Sequence, residues 1–175
     1  MIITRRRMLS AAMLIPLEAL AQTCGVITPR QTEGPFYTPN SPLRTALVEA
    51  GSKAPRMLVS GRVLSPQCKP VANALVDLWH ADEDGDYDNR GYRYRGHQFT
   101  DSEGRYRFET IVPAHYPGRT RHYHVKVQPK GGRILTTQLY FPGDPANRRD
   151  GLYRPELELK VAKGEEGLFD FVVEA

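Results

Sequence analysis

The chain has 175 residues, 40% of them hydrophobic, with 15 Gly, 14 Pro and a formal net charge of +4. That length and composition fit one globular domain with a real core and many turns. The charge is only mildly basic, and the body of the chain has no Lys/Arg block. A nucleic-acid partner is therefore not expected, while an anionic small substrate is compatible with the charge.

The first stretch, "TRRRMLSAAMLIPLEALAQ", combines three arginines, an apolar run and Ala19-Leu20-Ala21 in the small-x-small arrangement of a cleavage site. Thr4-Arg5-Arg6 with Met8-Leu9 resembles a twin-arginine export signal. The reading for residues 1–21 is a signal peptide, with the protein exported to the periplasm or the outside of a bacterial cell. The apolar run is too short to span a bilayer, and nothing later in the chain resembles a membrane segment, so no membrane association is expected after its removal. The chain has two cysteines, Cys24 and Cys68. In an oxidising compartment this even count predicts one disulfide tying the N-terminal region to the domain.

Residues 22–56 read as an irregular arm, because Pro29, Pro35, Pro39 and Pro42 exclude regular helix and central strand. From residue 57 to the C-terminus, short strand-like runs alternate with turn signals. The runs are 57–64, 73–81, 96–100, 105–111, 121–128 and 133–141, followed by "LELKVA" and "LFDFVVE". With no long amphipathic helix between them, they predict an all-β fold, an antiparallel β-sandwich with long loops behind a Pro-rich arm. The polar segment 82–95 reads as a long loop, and long ordered loops in compact domains are often functional.

The chemistry-bearing residues cluster in the second half. His122 and His124 stand at i and i+2 of a strand and so share a face, with Tyr123 on the other. Three other histidines, His80, His97 and His115, are scattered, and there is no Cys pair at structural-zinc spacing. Tyr87 lies in the acidic loop and Tyr116 lies between two prolines, places where packing gives tyrosine little reason to be. Taken singly, a strand His-x-His is more often solvated than ligating, and a loop tyrosine is more often a packing residue. Taken together, two phenolates and two imidazoles favour a hard, highly charged cation, which Fe(III) fits better than Zn(II) or Cu(I). Arg119 follows within a few residues and is suited to stabilising negative charge nearby.

From "TEGPFY" through "WHADEDGDYD", "TDSEGRYRFETIVPAHYPGRTRHYHV" and "TTQLYFPGDP", the chain resembles the intradiol ring-cleavage dioxygenases. The resemblance covers about residues 28–151, and its most specific part is the order Tyr, Tyr, Arg-x-x-His-x-His, Gln-Leu-Tyr-Phe. It implies one non-haem Fe(III) per chain, held by Tyr87, Tyr116, His122 and His124. Tyr116 matches the tyrosinate that leaves when substrate chelates the iron. Arg119 matches the arginine beside the bound ring, and Gln138 the glutamine that helps to position substrate. Phe36, Tyr37 and Trp79, inside the matching stretches, are candidates for substrate contact. The implied partners are a catechol-type substrate and O₂, and the implied product is a cis,cis-muconate-type diacid. Oligomeric state stays open, a homo-oligomer being compatible, because the helical N-terminal domain that carries dimer contacts in catechol dioxygenases is missing. Tyr123 stands where the family often has Ile, and altered packing alone is expected from it. A second resemblance, of residues 58–110 to transthyretin-like and carboxypeptidase-regulatory sandwiches, implies a non-catalytic binding module instead.

Overall fold

The computed structural model describes residues 25–162 and 165–175; the signal-peptide expectation and Cys24 lie outside them. Cys68 is disulfide-bonded. Nine strands follow in order: β1 Arg56–Leu64, β2 Leu75–Trp79, β3 Arg95–Phe99, β4 Arg105–Ile111, β5 His122–Gln128, β6 Leu135–Tyr140, β7 Lys160–Ala162, β8 Glu166–Leu168 and β9 Phe171–Val172. Two short 3-10 turns, Pro145–Arg149 and Pro155–Leu157, are the only helical elements among the described residues. No described helix is long and apolar enough to cross a membrane.

The strands form two sheets. One has the order β4-β1-β8-β7, with β9 also on β1; the other has the order β3-β2-β5-β6. The second sheet is antiparallel throughout. In the first, β8 and β9 run parallel to β1, so the sandwich is not purely antiparallel. The run expected at "LFDFVVE" is broken at Phe169-Asp170 into β8 and β9. Gly61 of β1 explains how the break is accommodated. A Cβ there would lie 1.8 Å from the Phe169 carbonyl oxygen, so only glycine admits this backbone.

Period-two alternation places Val59 and Val63 of β1, Val76 and Leu78 of β2, Phe108 of β4, and Tyr123, Val125 and Val127 of β5 between the sheets. Tyr123 is fully buried, and its hydroxyl donates to the Ile111 carbonyl at 2.8 Å. The tyrosine thus places a large ring in the core with its polar end satisfied; left unpaired, that hydroxyl would cost about 1–3 kcal/mol.

The opposite face of the second sheet is buried as well, and this creates the site. The arm runs across it, held by backbone hydrogen bonds from Gln31 N–H to the Thr136 carbonyl on one edge and between Pro42, Arg44 and His97 on the other. Strand β5 is consequently buried on both faces from His122 to Val125.

A further buried histidine offers a pH test. His80 Nδ1 donates to the Ala81 carbonyl and its Nε2 accepts from the Thr110 hydroxyl, both at 2.6 Å. Burial pulls its pKa down from 6.5 to about 4. Between those values the unfolded chain binds a proton at this residue that the folded chain does not, so stability is complete above pH 6.5 and falls as pH drops toward 4. The slope is about 1.4 kcal/mol per pH unit for each such group. His80→Gln should therefore flatten the acid limb of a urea-denaturation series run between pH 7 and pH 4. An unchanged slope would show that His80 is protonated in the folded protein.

Candidate metal centre

The register of the second sheet sets out the site. Arg95, Trp79, His124 and Gln138 are cross-strand partners in one row over β3, β2, β5 and β6. Directly paired residues share a face, so these side chains stand side by side. The neighbouring row pairs His122 with Tyr140. Loops then bring Tyr87, Tyr116 and Arg119 over this face from the 80–94 and 112–121 connections, while residues 34–37 of the arm close it.

The imidazoles are 4% and 3% exposed. His122 Nδ1 donates to the Thr120 carbonyl at 2.6 Å, which leaves its Nε2 lone pair bare. That Nε2 lies 3.1 Å from His124 Nε2 and 3.4 Å from the Tyr87 hydroxyl. His124 Nδ1 is buried with no hydrogen-bond partner. Burial is the largest influence on both rings. It lowers the His122 pKa to about 4 and holds His124 well below 6.5, with the neighbouring His122 adding to the effect. Both rings are therefore neutral at pH 7 and offer lone pairs.

The Tyr87 phenol is pushed up by burial, against opposing influences from Arg119 and Arg95. It is neutral as it stands, and a cation beside it would reverse the preference. Among the described residues no group of three His, Cys, Asp or Glu side chains converges, so a metal held here needs tyrosine oxygen. Bare neutral imidazole nitrogens facing a phenol oxygen, with no thiolate or carboxylate among them, fit a hard trivalent cation.

The surroundings hold these rings in place. Trp79 is buried and lies flat on His124, with ring centroids 4.9 Å apart and planes 9° apart. It backs the imidazole rather than facing open space. Tyr37 stands one layer further out, its ring on Trp79 at 4.8 Å and its hydroxyl donating to Asp77. Phe36 does reach the tyrosines. It stacks on Tyr87 at 4.6 Å and meets Tyr116 edge-on at 5.3 Å. Tyr116 contacts Tyr87 edge-on at 5.9 Å. Gly34 lets the arm pass this close: its φ is +73°, and a Cβ there would meet His124 Cε1 at 3.3 Å.

Arg119 and Gln138 are in direct contact. Arg119 Nη2 donates to Gln138 Oε1 at 2.6 Å, and the Tyr140 hydroxyl donates to the same oxygen at 3.0 Å. Gln138 Nε2 donates to the Thr32 carbonyl at 3.0 Å. The amide is thus held at both its oxygen and its nitrogen, and it orients Arg119 as well as flanking His124. Sequence reasoning missed Asp150, which accepts from Arg119 Nε at 2.8 Å. It lies 31 residues along the chain, in "RRDG", and carries no local signal.

The fold is thus a β-sandwich with two imidazoles on one buried sheet face and two phenols brought over it by loops, under a proline-rich arm. A family model described as "Dioxygenase" matches residues 32–163. Catechol 1,2-dioxygenase 2 of Acinetobacter lwoffii is 35% identical over 169 residues, 78% of this chain and 62% of that protein. The protocatechuate 3,4-dioxygenase beta chain of Burkholderia cepacia is 38% identical over 117 residues, 57% of this chain and 50% of that one. Among solved structures, the dioxygenase domain of a dioxygenase–carbohydrate-binding protein fusion from Streptomyces sp. SirexAA-E superposes with a TM-score of 0.82. It is 48% identical and is matched over 86% of this chain and 99% of that one. The chain belongs to the intradiol ring-cleavage dioxygenase family. It spans about half to three-fifths of the length of these two curated relatives. The match extends well beyond residues 58–110 at both ends, so the binding-module reading accounts for only part of what is matched.

Proposed function

We propose that this chain is a non-haem Fe(III)-dependent intradiol dioxygenase that opens a catechol-type ring with O₂ to a cis,cis-muconate-type diacid. The observation that carries the reading is the convergence of His122 Nε2, His124 Nε2 and the Tyr87 hydroxyl, at 3.1 and 3.4 Å, on a buried face. Tyr116, in ring contact with Tyr87, completes the proposed set.

When bound, Fe(III) supplies a Lewis acid that lowers the cost of ionising both catechol hydroxyls and makes the ring reactive toward O₂. The chain's own residues do the rest. His122 and His124 hold the metal through their Nε2 atoms, with His122 kept in the right tautomer by the Thr120 carbonyl. Tyr87, neutral as it stands, would serve the bound ion as a phenolate, its ring fixed by stacking on Phe36. Tyr116 comes from a loop between prolines and is held by ring contacts with Phe36 and Tyr87. Its oxygen would be the group that takes up a catechol proton as the substrate ionises. Arg119, cationic and part-buried, stabilises the negative charge that develops on the ring, and Gln138 aims it. The Arg119 side chain is 18% exposed, and this partial burial strengthens its interaction with charge beside it.

The test is O₂ uptake by the iron-loaded protein over a panel of catechols, with ring-cleaved diacid as the product. The loaded protein should be red-brown from tyrosinate-to-iron charge transfer, and removal of iron by a chelator should abolish both colour and uptake. A colourless iron-loaded protein that consumes no O₂ with any catechol would overturn the reading.

A further inference from the structure

The loop carrying Tyr116 and Arg119 is gripped by the segment 144–150. Asp144 pairs with His115 at 2.9 Å and Arg121 at 3.5 Å. The Thr120 hydroxyl donates to Asn147 Oδ1 at 2.6 Å. Asp150 Oδ2 accepts from both Thr120 N–H at 2.9 Å and Arg119 Nε at 2.8 Å. Its other oxygen accepts from Leu152 N–H at 2.9 Å, so the carboxylate is fixed by its own turn before it meets Arg119. The Asp150 side chain is 2% exposed, and that of Arg119 is 18% exposed.

An arginine in water samples many rotamers, and holding it in one costs entropy. Here the guanidinium is held at two corners. Nε is on Asp150 and Nη2 is on Gln138, the Tyr140 hydroxyl lies against the same guanidinium, and Nη1 is the corner with no carboxylate or amide on it. Two fixed corners of a planar group fix the third. Because Gln138 is the cross-strand partner of His124, this clamp sets the guanidinium relative to the proposed metal ligands.

We propose that Asp150 is a positioning residue for the ring-cleavage reaction. It acts through Arg119 by locking the guanidinium so that Nη1 presents its N–H groups to the substrate. This rests on the functional reading above. Asp150→Asn, nearly the same in shape, replaces one acceptor oxygen by a donor and must face an N–H with an N–H on one side. Its kcat per bound iron should fall on the order of 10–100-fold, the scale for losing an orienting partner. KM and the spectral change on catechol binding should stay within about threefold, because the metal contacts are untouched.

The decisive measurement is a double-mutant cycle. If Asp150 acts through Arg119, Asp150→Asn should change kcat by less than about twofold in an Arg119→Ala background. Full multiplicative losses would mean that Asp150 acts elsewhere, and would overturn the proposal. Asp150→Glu, which keeps the charge, should recover part of the loss. Arg119→Lys is a second test that leaves Asp150 intact, should Asp150→Asn fail to fold. A lysine ammonium lacks the planar fork whose two held corners aim the third, so near-normal turnover in Arg119→Lys would also overturn the proposal. A wild type without ring cleavage would overturn both readings, whereas an active wild type with an equally active Asp150→Asn overturns only this one.

Discussion

His122→Ala should yield a folded protein that no longer retains iron. The side chain lies on the outer face of β5, away from the inter-sheet cluster of Tyr123, Val125 and Val127, so its removal leaves the core intact. What it removes is a neutral nitrogen whose lone pair is bare and faces both His124 and Tyr87. A side chain that merely orients a ligand is worth 10–100-fold in metal affinity, and loss of the ligand itself should exceed about 10²-fold. Tyr87→Phe should act differently. It keeps the ring that stacks on Phe36 and removes only the oxygen, so iron should be held more weakly and the visible band should weaken or shift. Iron per chain, the visible spectrum and thermal melting of both variants check these outcomes. Wild-type iron content and colour in both would refute the ligand assignment.

Arg119→Ala should separate binding from chemistry. The Arg119 side chain bonds to none of the proposed ligand side chains; it donates to Asp150 and Gln138, and the backbone N–H bond from Arg119 to the Tyr116 carbonyl at 2.9 Å is kept in the alanine variant. Iron content and colour should therefore be nearly intact, and a catechol should still perturb the spectrum on binding. Turnover should fall by about 10²-fold or more, the scale for losing one preorganised electrostatic stabiliser of a transition state. The variant also leaves the Asp150 carboxylate buried without its cation, which should cost stability of a few kcal/mol. Melting curves therefore need to accompany the kinetics, with activity expressed per folded, iron-loaded chain. Near-normal ring cleavage on the best substrate would refute the role of Arg119.

Much of this molecule is legible along the chain because strand geometry is local. The alternation in residues 57–64, 105–111 and 121–128 marks β1, β4 and β5 almost to the residue, since the pleat itself sends successive side chains to opposite faces. For the same reason His122 and His124 had to share a face, and Tyr123 had to enter the core. The proline density of the arm likewise excluded helix there, and the arm forms only isolated bridges to the sheets and to Glu109.

The tertiary structure decided what no local rule reaches. Whether an outward-facing histidine is solvated or buried depends on what lies over it, and here the arm crosses some 90 residues of sequence to cover β5. The row that sets Trp79 and Gln138 on either side of His124 depends on cross-strand register, which local alternation does not specify. Trp79, a candidate for substrate contact by sequence, proves to back the imidazole, because stacking on His124 buries it. The partner of Arg119 lies 31 residues away, since an ion pair is chosen by proximity after folding and leaves no periodic trace in the chain. The strand positions and the shared face of His122 and His124 were thus readable from sequence, because the β pleat fixes them locally. Their distances, burial and charge partners came from long-range packing, which brings together groups that the linear chain keeps apart.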